Sequence, residues 1–362
     1  MTDPSFTERY FAASNSGLGF RNYYGEMFTE QRTDRLYILK GGPGTGKSRF
    51  LHTVARRARA HGYTVTEYAC SSDPASLDGI LLRGEGKPTV GLLDGTAPHA
   101  REPVLPGAHD DIVNLGAFWD GRRLMEQAAT IRSLAEKKSA AYTRAYGYLA
   151  AALRTDEVAD GLMDGVCDGA RLRALATRIL RQEQAGDETP PAVALRRAVS
   201  MTGDVTLHTY EGLAETLGGR ILAVEDFYGM GFRLTKALWE ISRQRKLPFM
   251  VSYDPLNPRK IDGLLYPESG LCVLVGHVEA GEAAHLREVK LRRYADSAAL
   301  RGVRGELRRA LTLKARLTEA AAHSLAEAAT HHFELEGIYA SAMDFRAKEA
   351  FTESFCAELL RT

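Results

Sequence analysis

One eight-residue segment, 41–48, carries the residue types that bind phosphate. It reads Gly-Gly-Pro-Gly-Thr-Gly-Lys-Ser and matches the pattern G-x-x-x-x-G-K-[ST] at every fixed position. Glycines let the backbone curl so that successive N–H groups point inward at phosphate oxygens. Lys47 can reach the β- and γ-phosphates, and the Ser48 hydroxyl can ligate Mg²⁺. The segment therefore predicts a nucleotide-binding loop, whereas a glycine-rich turn without a ligand would not need the Lys-Ser pair.

The flanking segments predict the strand and the helix that such a loop needs. Apolar residues 36–39 enter the loop as a short buried strand would, and 49–60 have the composition of a helix. The start of a helix adds unpaired N–H groups and the positive end of its dipole. We expect the nucleotide at the carboxyl end of this strand. The residues predicted to contact it are Gly41, Gly42, Pro43, Gly44, Thr45, Gly46, Lys47, Ser48 and Arg49.

Two residues beyond the loop are candidates for the chemistry, together with Lys47. Asp94 ends the apolar strand 90–93, where a carboxylate can hold the water shell of Mg²⁺, so Ser48 and Asp94 form the predicted metal site. The alternative for Asp94 is a structural Asp-Gly turn. His99 follows closely enough to touch a γ-phosphate or an acceptor, although a lone histidine often has no catalytic role.

The chain repeats itself at a nearly constant spacing. Residues 35–39 precede the glycine loop, and the similar segment 220–224 lies 185 positions later. Further matches follow in the same order: 71–74 with 252–255, 77–79 with 261–263, and 90–93 with 272–275. The sequence therefore predicts two copies of one α/β unit with mostly parallel sheets, as domains 1–182 and 192–362.

The second copy lacks the residues that would bind phosphate. At these spacings Lys47, Ser48 and Asp94 fall on Phe232, Arg233 and Gly276, whereas Asp73-Pro74 and Asp78-Gly79 fall on Asp254-Pro255 and Asp262-Gly263. The retained pairs favour turn or capping roles. The joint loss of the other three predicts a single competent site, in the first copy.

An acidic pair, Glu225-Asp226, stands where phosphate would reach the second copy. A carboxylate about 4 Å from a phosphate charge costs about 4 kcal/mol at an effective dielectric of about 20, and a helix dipole returns only about 0.3–1 kcal/mol. The second copy is therefore expected to act as a scaffold, or to supply a residue such as Arg233 to the first.

Each copy continues into a long extension rich in Ala, Arg and Glu, 121–181 and 298–361. Apolar residues at helical spacing predict a helical hairpin packed beside each sheet. Six basic residues lie within 301–316, and a solvated helix face is the preferred interpretation because no aromatic residues are interleaved for bases to stack on.

Composition narrows the class of protein. The 362 residues carry a formal net charge of +1, which gives no clear indication of a nucleic acid or membrane partner. Four cysteines lie far apart without C-x-x-C spacing, and no segment has the apolar length of a membrane span. We expect a cytoplasmic protein with reduced thiols.

These segments resemble a little-characterised bacterial family of tandem P-loop ATPases. The resemblance is carried by residues 10–13 and 19–20, by the glycine loop, and by 70–79, 94–99, 106–108, 114–116 and 339–345. It implies a P-loop NTPase fold, ATP and Mg²⁺ as ligands, and the usual roles for Lys47, Ser48 and Asp94. Both halves of typical members carry a P-loop, so the degenerate second loop departs from the family pattern.

A shorter likeness concerns the reaction. Leu92-Leu93-Asp94-Gly95 after such a loop is similar to the adenylate-kinase pattern, but the aromatic residue and arginine expected next are replaced by Thr96-Ala97-Pro98-His99. Gly95 also occupies the place of the acidic residue that often activates water. ATP hydrolysis is the preferred reading. Phosphoryl transfer to a small-molecule or nucleotide acceptor is the alternative, and a nucleotide-binding module with negligible turnover is a third.

Overall fold

The polypeptide forms two six-stranded mixed sheets that are flanked by helices. The computed structural model describes residues 7–98, 100–186, 191–278 and 285–361. Within these ranges, no helix combines the length and apolar character that a membrane crossing requires. We call 7–186 the first half and 191–361 the second half.

The two halves contain the same series of elements. The strands are β1 (Glu8–Phe11), β2 (Ala13–Ser16), β3 (Gly19–Asn22), β4 (Arg35–Lys40), β5 (Thr64–Ala69), β6 (Leu77–Arg83), β7 (Val90–Asp94), β8 (Asp110–Asn114), β9 (Ala192–Val193), β10 (Arg197–Ser200), β11 (Gly203–Thr206), β12 (Arg220–Val224), β13 (Met250–Tyr253), β14 (Ile261–Tyr266), β15 (Leu271–Val275) and β16 (His285–Val289). The helices are α1 (Tyr24–Met27), α2 (Lys47–Ala60), α3 (Gly121–Glu126), α4 (Ala128–Asp164), α5 (Gly169–Ile179), α6 (Thr209–Thr216), α7 (Met230–Gln244), α8 (Ser297–Ser341) and α9 (Phe345–Leu359). Short 3-10 turns are Leu115–Phe118, Leu180–Gln182 and Arg292–Tyr294.

The sheets share one topology. The first has the strand order β1-β5-β6-β7-β4-β8, and the second has β9-β13-β14-β15-β12-β16, which is the same order element for element. In each sheet only β6 or β14 runs antiparallel to its neighbours. The predicted pair of α/β units is therefore confirmed, with sheets that are mixed.

Strand β4 leads into the glycine loop from the interior of the first sheet, between β7 and β8. Leu36 and Ile38 pack into the core on one face, while Leu39 packs into the core on the other face with Phe50 and Leu51 of α2. Burial on both faces is typical of a parallel strand covered by helices. The loop is thus held between a fixed strand end and a fixed helix start.

Strand register corrects the alignment of the two copies. Leu39 pairs with Asp94 on β7, and Val224 pairs with Val275 on β15, so the counterpart of Asp94 is Val275 and the predicted pairing with Gly276 is wrong by one residue. Gly95 and Gly276 correspond instead, since each donates its N–H to the carbonyl of the equivalent residue in the neighbouring strand, Leu39 or Val224.

The helix starts correct the pairing of the loops. Gly46 and Gly229 each occupy the N-cap in a left-handed conformation, with φ of 74° and 81°. The counterparts of Lys47 and Ser48 are therefore Met230 and Gly231, and the predicted pairings with Phe232 and Arg233 are wrong. The second loop (226–229) is two residues shorter than the first (41–46), which a constant spacing could not show.

The alignment of the turn after β5 with its counterpart in the second half is also corrected by hydrogen bonds. The N–H of Ser76 bonds to the carbonyl of Asp73, and the N–H of Lys260 bonds to the carbonyl of Asn257. Asp73-Pro74 therefore corresponds to Asn257-Pro258, and the predicted match with Asp254-Pro255 is wrong. Asp78 and Asp262 do correspond, because both lie at the same irregularity in the pairing of their strands.

The helical extensions are exchanged between the halves. A hairpin beside its own sheet was the expectation, but α5 packs on α7 of the second half, where Arg173 contacts Glu240. In the same way α9 packs on α2 of the first half, where Phe351 stacks on Phe50. Where the chain passes from one half to the other, isolated β-bridges join Trp119 to Met343 and Cys167 to Ala295.

The long helices α4 and α8 pack side by side in opposite directions. Arg144 of α4 contacts Glu327 of α8, and Asp156 of α4 contacts Lys314 of α8. Residue numbers therefore increase along α4 in the direction in which they decrease along α8. The N-caps Asp120 and Asp296 before the long helices, and Asp168 and Asp344 after them, are each 176 positions apart. Corresponding residues of the two helices are therefore 176 positions apart throughout.

This exchange predicts that the two halves unfold together. The chain holds two tryptophans, Trp119 near the first sheet and Trp239 on α7. Single-tryptophan variants, Trp239→Phe and Trp119→Phe, should give coincident denaturant curves. Phe50→Ala should shift both curves by about 3–5 kcal/mol because it opens a cavity where α9 crosses into the first half. Two separated transitions would contradict a shared core.

Candidate functional site

The glycine loop (41–46) curls over the start of α2. Gly44 and Gly46 have φ of 71° and 74°, in the left-handed region that favours glycine. Gly44 also lies against helix α8 of the second half, since a Cβ there would be 2.4 Å from the carbonyl oxygen of Glu336. Any other residue at position 44 would displace either the loop or the helix.

Lys47 and Asp94 face each other across the site. The Lys47 ammonium donates to the carbonyl oxygens of Gly41 and Gly42, each at 2.8 Å, and lies 3.5 Å from a carboxylate oxygen of Asp94. The other Asp94 oxygen accepts hydrogen bonds from the N–H and hydroxyl of Thr96. Asp94 thus closes a turn with one oxygen and presents the second to Lys47.

Oxygen atoms suited to a hard cation lie in the same region. Ser48 and Asp94 both line the cavity, and the Ser48 hydroxyl accepts the N–H of Leu77 at 3.0 Å. Asp73 binds the N–H of Ala75 and the hydroxyl of Ser76, which is the turn role that its sequence context favours. Within the described residues there is no group of three or more His, Cys, Asp or Glu side chains that could hold a metal.

The cavity beside the loop has a volume of about 850 Å³ and is built by both halves. The first half supplies the loop, the turn 70–78, the end of β7, and Lys138 of α4. The second half supplies a roof from α8 and the start of α9. The roof residues are His332, Phe333, Glu336, Gly337, Ala340 and Phe345.

Lys138 is a second lysine in this cavity. Burial lowers the pKa of its ammonium, and no carboxylate of the described chain lies within ion-pair distance of it. Burial, together with Lys138 and Lys47, lowers the pKa of His332 to about 4, so this imidazole is neutral at neutral pH. Lys47 and Lys138 thus contribute positive charge to a cavity that is also lined by the carboxylates Asp73, Asp78, Asp94 and Glu336, and His332 adds none.

Glu336 is an acidic group that lies beside the loop. Burial raises its pKa, and the backbone N–H of Gly44, which faces the carboxylate, partly offsets that effect. Its other contact is His332, at 3.6 Å. The carboxylate thus lies beside an N–H group that a loop of this kind offers to phosphate.

In the second half, ion pairs occupy the equivalent place. The counterpart of Lys138 is Lys314, which lies 2.6 Å from Asp156, and Lys260 also lies 2.6 Å from Asp156. Burial alone would raise the pKa of Asp156, but the two lysines outweigh it and hold the pKa below its ordinary value. The counterpart of Asp156 is His332, so the cavity at the first loop has an imidazole in the place of this carboxylate.

The second loop has lost its anion-binding groups as a set. Met230 and Gly231 replace Lys47 and Ser48, and a Cβ at Gly231 would lie 2.7 Å from Val275, the counterpart of Asp94. Burial raises the pKa of Asp226, whose carboxylate faces the N–H of Gly231 in the first turn of α7. A side chain of the protein thus occupies the place of an external anion.

Two predicted site residues point elsewhere. Arg233 binds Asp164 and the carbonyl of Asp160 on α4, so it does not reach the first-half cavity, and its predicted role as a residue supplied to that site is wrong. Arg49 borders the cavity, but its guanidinium contacts Glu349 at 2.7 Å and is largely exposed. His99 lies outside the described residues.

The structure brings the remaining predicted residues together in one cavity, namely Gly41, Gly42, Pro43, Gly44, Thr45, Gly46, Lys47, Ser48 and Asp94. Sequence reasoning missed Lys138, His332 and Glu336, which lie on long helices without a motif. A signal for them existed in the spacing of 176, which pairs Lys138 with Lys314 and His332 with Asp156.

Comparison of the chain with family models, with curated proteins and with solved structures gives no match. The assignment of a function therefore depends on the chemistry of the cavity.

Proposed function

We propose that the chain is a Mg²⁺-dependent ATPase with one nucleotide site, formed by the glycine loop and roofed by α8. One observation carries the proposal. Lys47, Ser48, Asp94 and Lys138 converge on a single cavity in the first half, whereas each counterpart in the second half is apolar, a glycine or neutralised by a carboxylate. A set that is lost together is expected to serve one ligand.

The loop supports binding of a triphosphate through groups already in place. The first-turn N–H groups of α2 and the positive end of its dipole favour an anion at the loop. Lys47 now satisfies its ammonium with loop carbonyls and can turn toward the β- and γ-phosphates. Glu336 must withdraw from Gly44 as phosphate arrives, because two negative charges would otherwise share one N–H group.

Mg²⁺ would be held by the Ser48 hydroxyl and, through water, by Asp94. The ion would neutralise charge on the β- and γ-phosphates. Lys47 and Lys138 would then stabilise the charge that builds on the γ-phosphoryl oxygens during transfer to water. The roof from α8 and α9 limits access of bulk solvent, which strengthens these interactions.

Titration calorimetry with Mg-ATP tests the proposal directly. We expect one ATP per chain, with binding by Lys47→Ala at least 10-fold weaker and its turnover abolished, since each charge-assisted hydrogen bond to phosphate is worth about 1.5–3 kcal/mol. Arg233→Ala serves as the control and should bind as the unaltered protein does. Two comparable sites, or normal turnover by the Lys47 variant, would refute the proposal. Following phosphate and ADP together separates hydrolysis from transfer to an added acceptor.

Asp94→Asn separates a metal role from a turn role. Asparagine can still accept the N–H of Thr96, so the melting temperature should change little. Loss of the charge should raise the Mg²⁺ concentration needed for half-maximal turnover and slow the reaction roughly 10-fold or more. Turnover against Mg²⁺ concentration and thermal melting are measured on the same sample. Unchanged turnover with unchanged melting would show that Asp94 only closes the turn.

Substitution of Lys138 and of its counterpart Lys314 should have opposite effects on binding and on stability. Lys138→Met should weaken ATP binding by roughly 10- to 150-fold, because this ammonium would form a charge-assisted hydrogen bond with phosphate. It should have little effect on stability, because Lys138 forms no ion pair with a described residue. Lys314→Met should leave binding unchanged and destabilise the fold by about 1–3 kcal/mol, because it leaves the buried Asp156 with one cation fewer. The reverse pattern, or equal effects on binding, would remove Lys138 from the site.

A further inference from the structure

A second cavity lies along the edge of the second sheet, beside its outer strand β16. It has a volume of about 860 Å³ and runs between helix α5, strands β12 and β16, and the turn before α8. We call it the basic groove. Among the described residues, seven cationic side chains and one carboxylate, Glu288, line it. The cations are Arg178, Arg181, Arg220, Arg287, Lys290, Arg292 and Arg293.

Among the described residues, most of these charges have no carboxylate partner. Lys290 lies 3.8 Å from Glu288, and Arg293 donates to the hydroxyl of Tyr294 while stacking on its ring. Within the described part of the chain, the other five arginines of the groove form no ion pair. Like charges that converge without counterions repel one another, so the arrangement is stabilised when an anion is bound.

The first half provides an internal comparison. There the same face is closed by an aromatic core, in which Tyr37 packs against Phe355 at a ring distance of 5.0 Å. Arg35, the counterpart of Arg220, forms an ion pair with Asp111. The counterpart of Asp111 is Arg287, because each lies opposite the third residue of β4 or β12.

The contrast extends to the other cations of the groove. At the spacing of 176, Arg178, Arg181, Lys290, Arg292 and Arg293 correspond to Ser354, Ala357, Asn114, Gly116 and Ala117. The fold itself does not require the positive charge, since the first half forms the same elements without it. The groove is therefore a property of the second half alone.

The basic surface continues beyond the groove along α8. Ser297 borders the groove, and Arg301, Arg304 and Arg308 follow at helical spacing with exposed side chains. At 1.5 Å per residue, the span from Ser297 to Arg308 is about 16 Å. That length exceeds the phosphate chain of a single nucleotide triphosphate, so the surface suits a ligand with a longer row of phosphates.

We propose that the basic groove and this face of α8 bind single-stranded nucleic acid through its phosphate backbone. Arginine forms bidentate hydrogen bonds with phosphate, which suits a series of repeated phosphates. A flexible single strand can enter a recess between a helix and a sheet edge, whereas a duplex is stiff over about 150 base pairs. Contacts of this kind carry no sequence information, so binding should be independent of sequence.

The test uses fluorescence anisotropy with labelled, unstructured 20-nucleotide RNA and DNA strands at low salt. The double variant Arg178→Ser/Arg287→Asp installs the first-half residue at each position, which the same fold already accepts. We expect at least 10-fold weaker binding and a salt slope reduced by about 1.4, as for two lost phosphate contacts. The matched control, Arg132→Ser/Arg56→Asp, makes the same change of charge at exposed positions outside the groove and should bind normally.

Further arms identify the ligand and the site. Lys47→Ala should bind the strand normally, which separates the groove from the proposed ATP site. Absence of strand binding by the unaltered protein, or equal weakening in the control, would overturn the proposal. So would a duplex of the same sequence binding as tightly as the strand, or groove-dependent binding of inorganic tripolyphosphate without strand binding.

Discussion

The close approach of α8 to the glycine loop is the contact on which the site depends. Gly44 has no side chain, so the backbone of the second half can lie against the loop of the first. This contact is possible because the helical extensions cross between halves, which places α9 on α2 of the first half and α5 on α7 of the second, and brings the end of α8 to the first loop. The cavity therefore exists only in the complete chain, and neither predicted domain would contain it alone.

The two halves share one strand topology, but the lysine on the long helix is paired with a carboxylate only at the second loop. In the first half, His332 stands where Asp156 would neutralise the lysine, and its low pKa keeps it uncharged. In the second half, Asp156 and Lys314 satisfy each other. Buried ion pairs repay their desolvation only when geometry and partners are favourable, and Asp156 has two lysines at 2.6 Å. Lys314 at the second site is thus paired with a carboxylate, whereas Lys138 at the first site forms no ion pair with a described residue.

Local patterns were sufficient to predict part of this structure. The strand, loop and helix around Lys47, the position of Asp94 and the repeat of an α/β unit follow from short segments whose neighbours in sequence are also neighbours in space. Pairing of copies by spacing failed at Met230 and Val275 because the second loop is shorter and the strands shift by one residue. Only hydrogen bonds between strands define that register.

The exchange of helices could not be inferred from the sequence for a different reason. An amphipathic helix specifies that one face is buried, but Phe351 and Phe355 do not indicate which sheet they will cover. Lys138 was missed for the same reason, because the sequence does not show that α4 brings it to the same cavity as Lys47. Lys138 and Lys314 are recognised as counterparts only when the two copies are aligned 176 residues apart. The segments before the two loops align 185 residues apart, so that offset does not pair the two lysines.

Helix α8 connects the two proposed sites physically. Its first residue borders the basic groove, and residues 332–340 near its other end roof the glycine loop. A continuous helix of 45 residues is about 68 Å long and cannot tilt at one end without moving the other. In the two proposals, withdrawal of Glu336 from Gly44 would act on this helix, and so would an anion bound in the groove. If each ligand favours a different tilt, the coupling between them has the same magnitude in both directions, because binding free energies are linked.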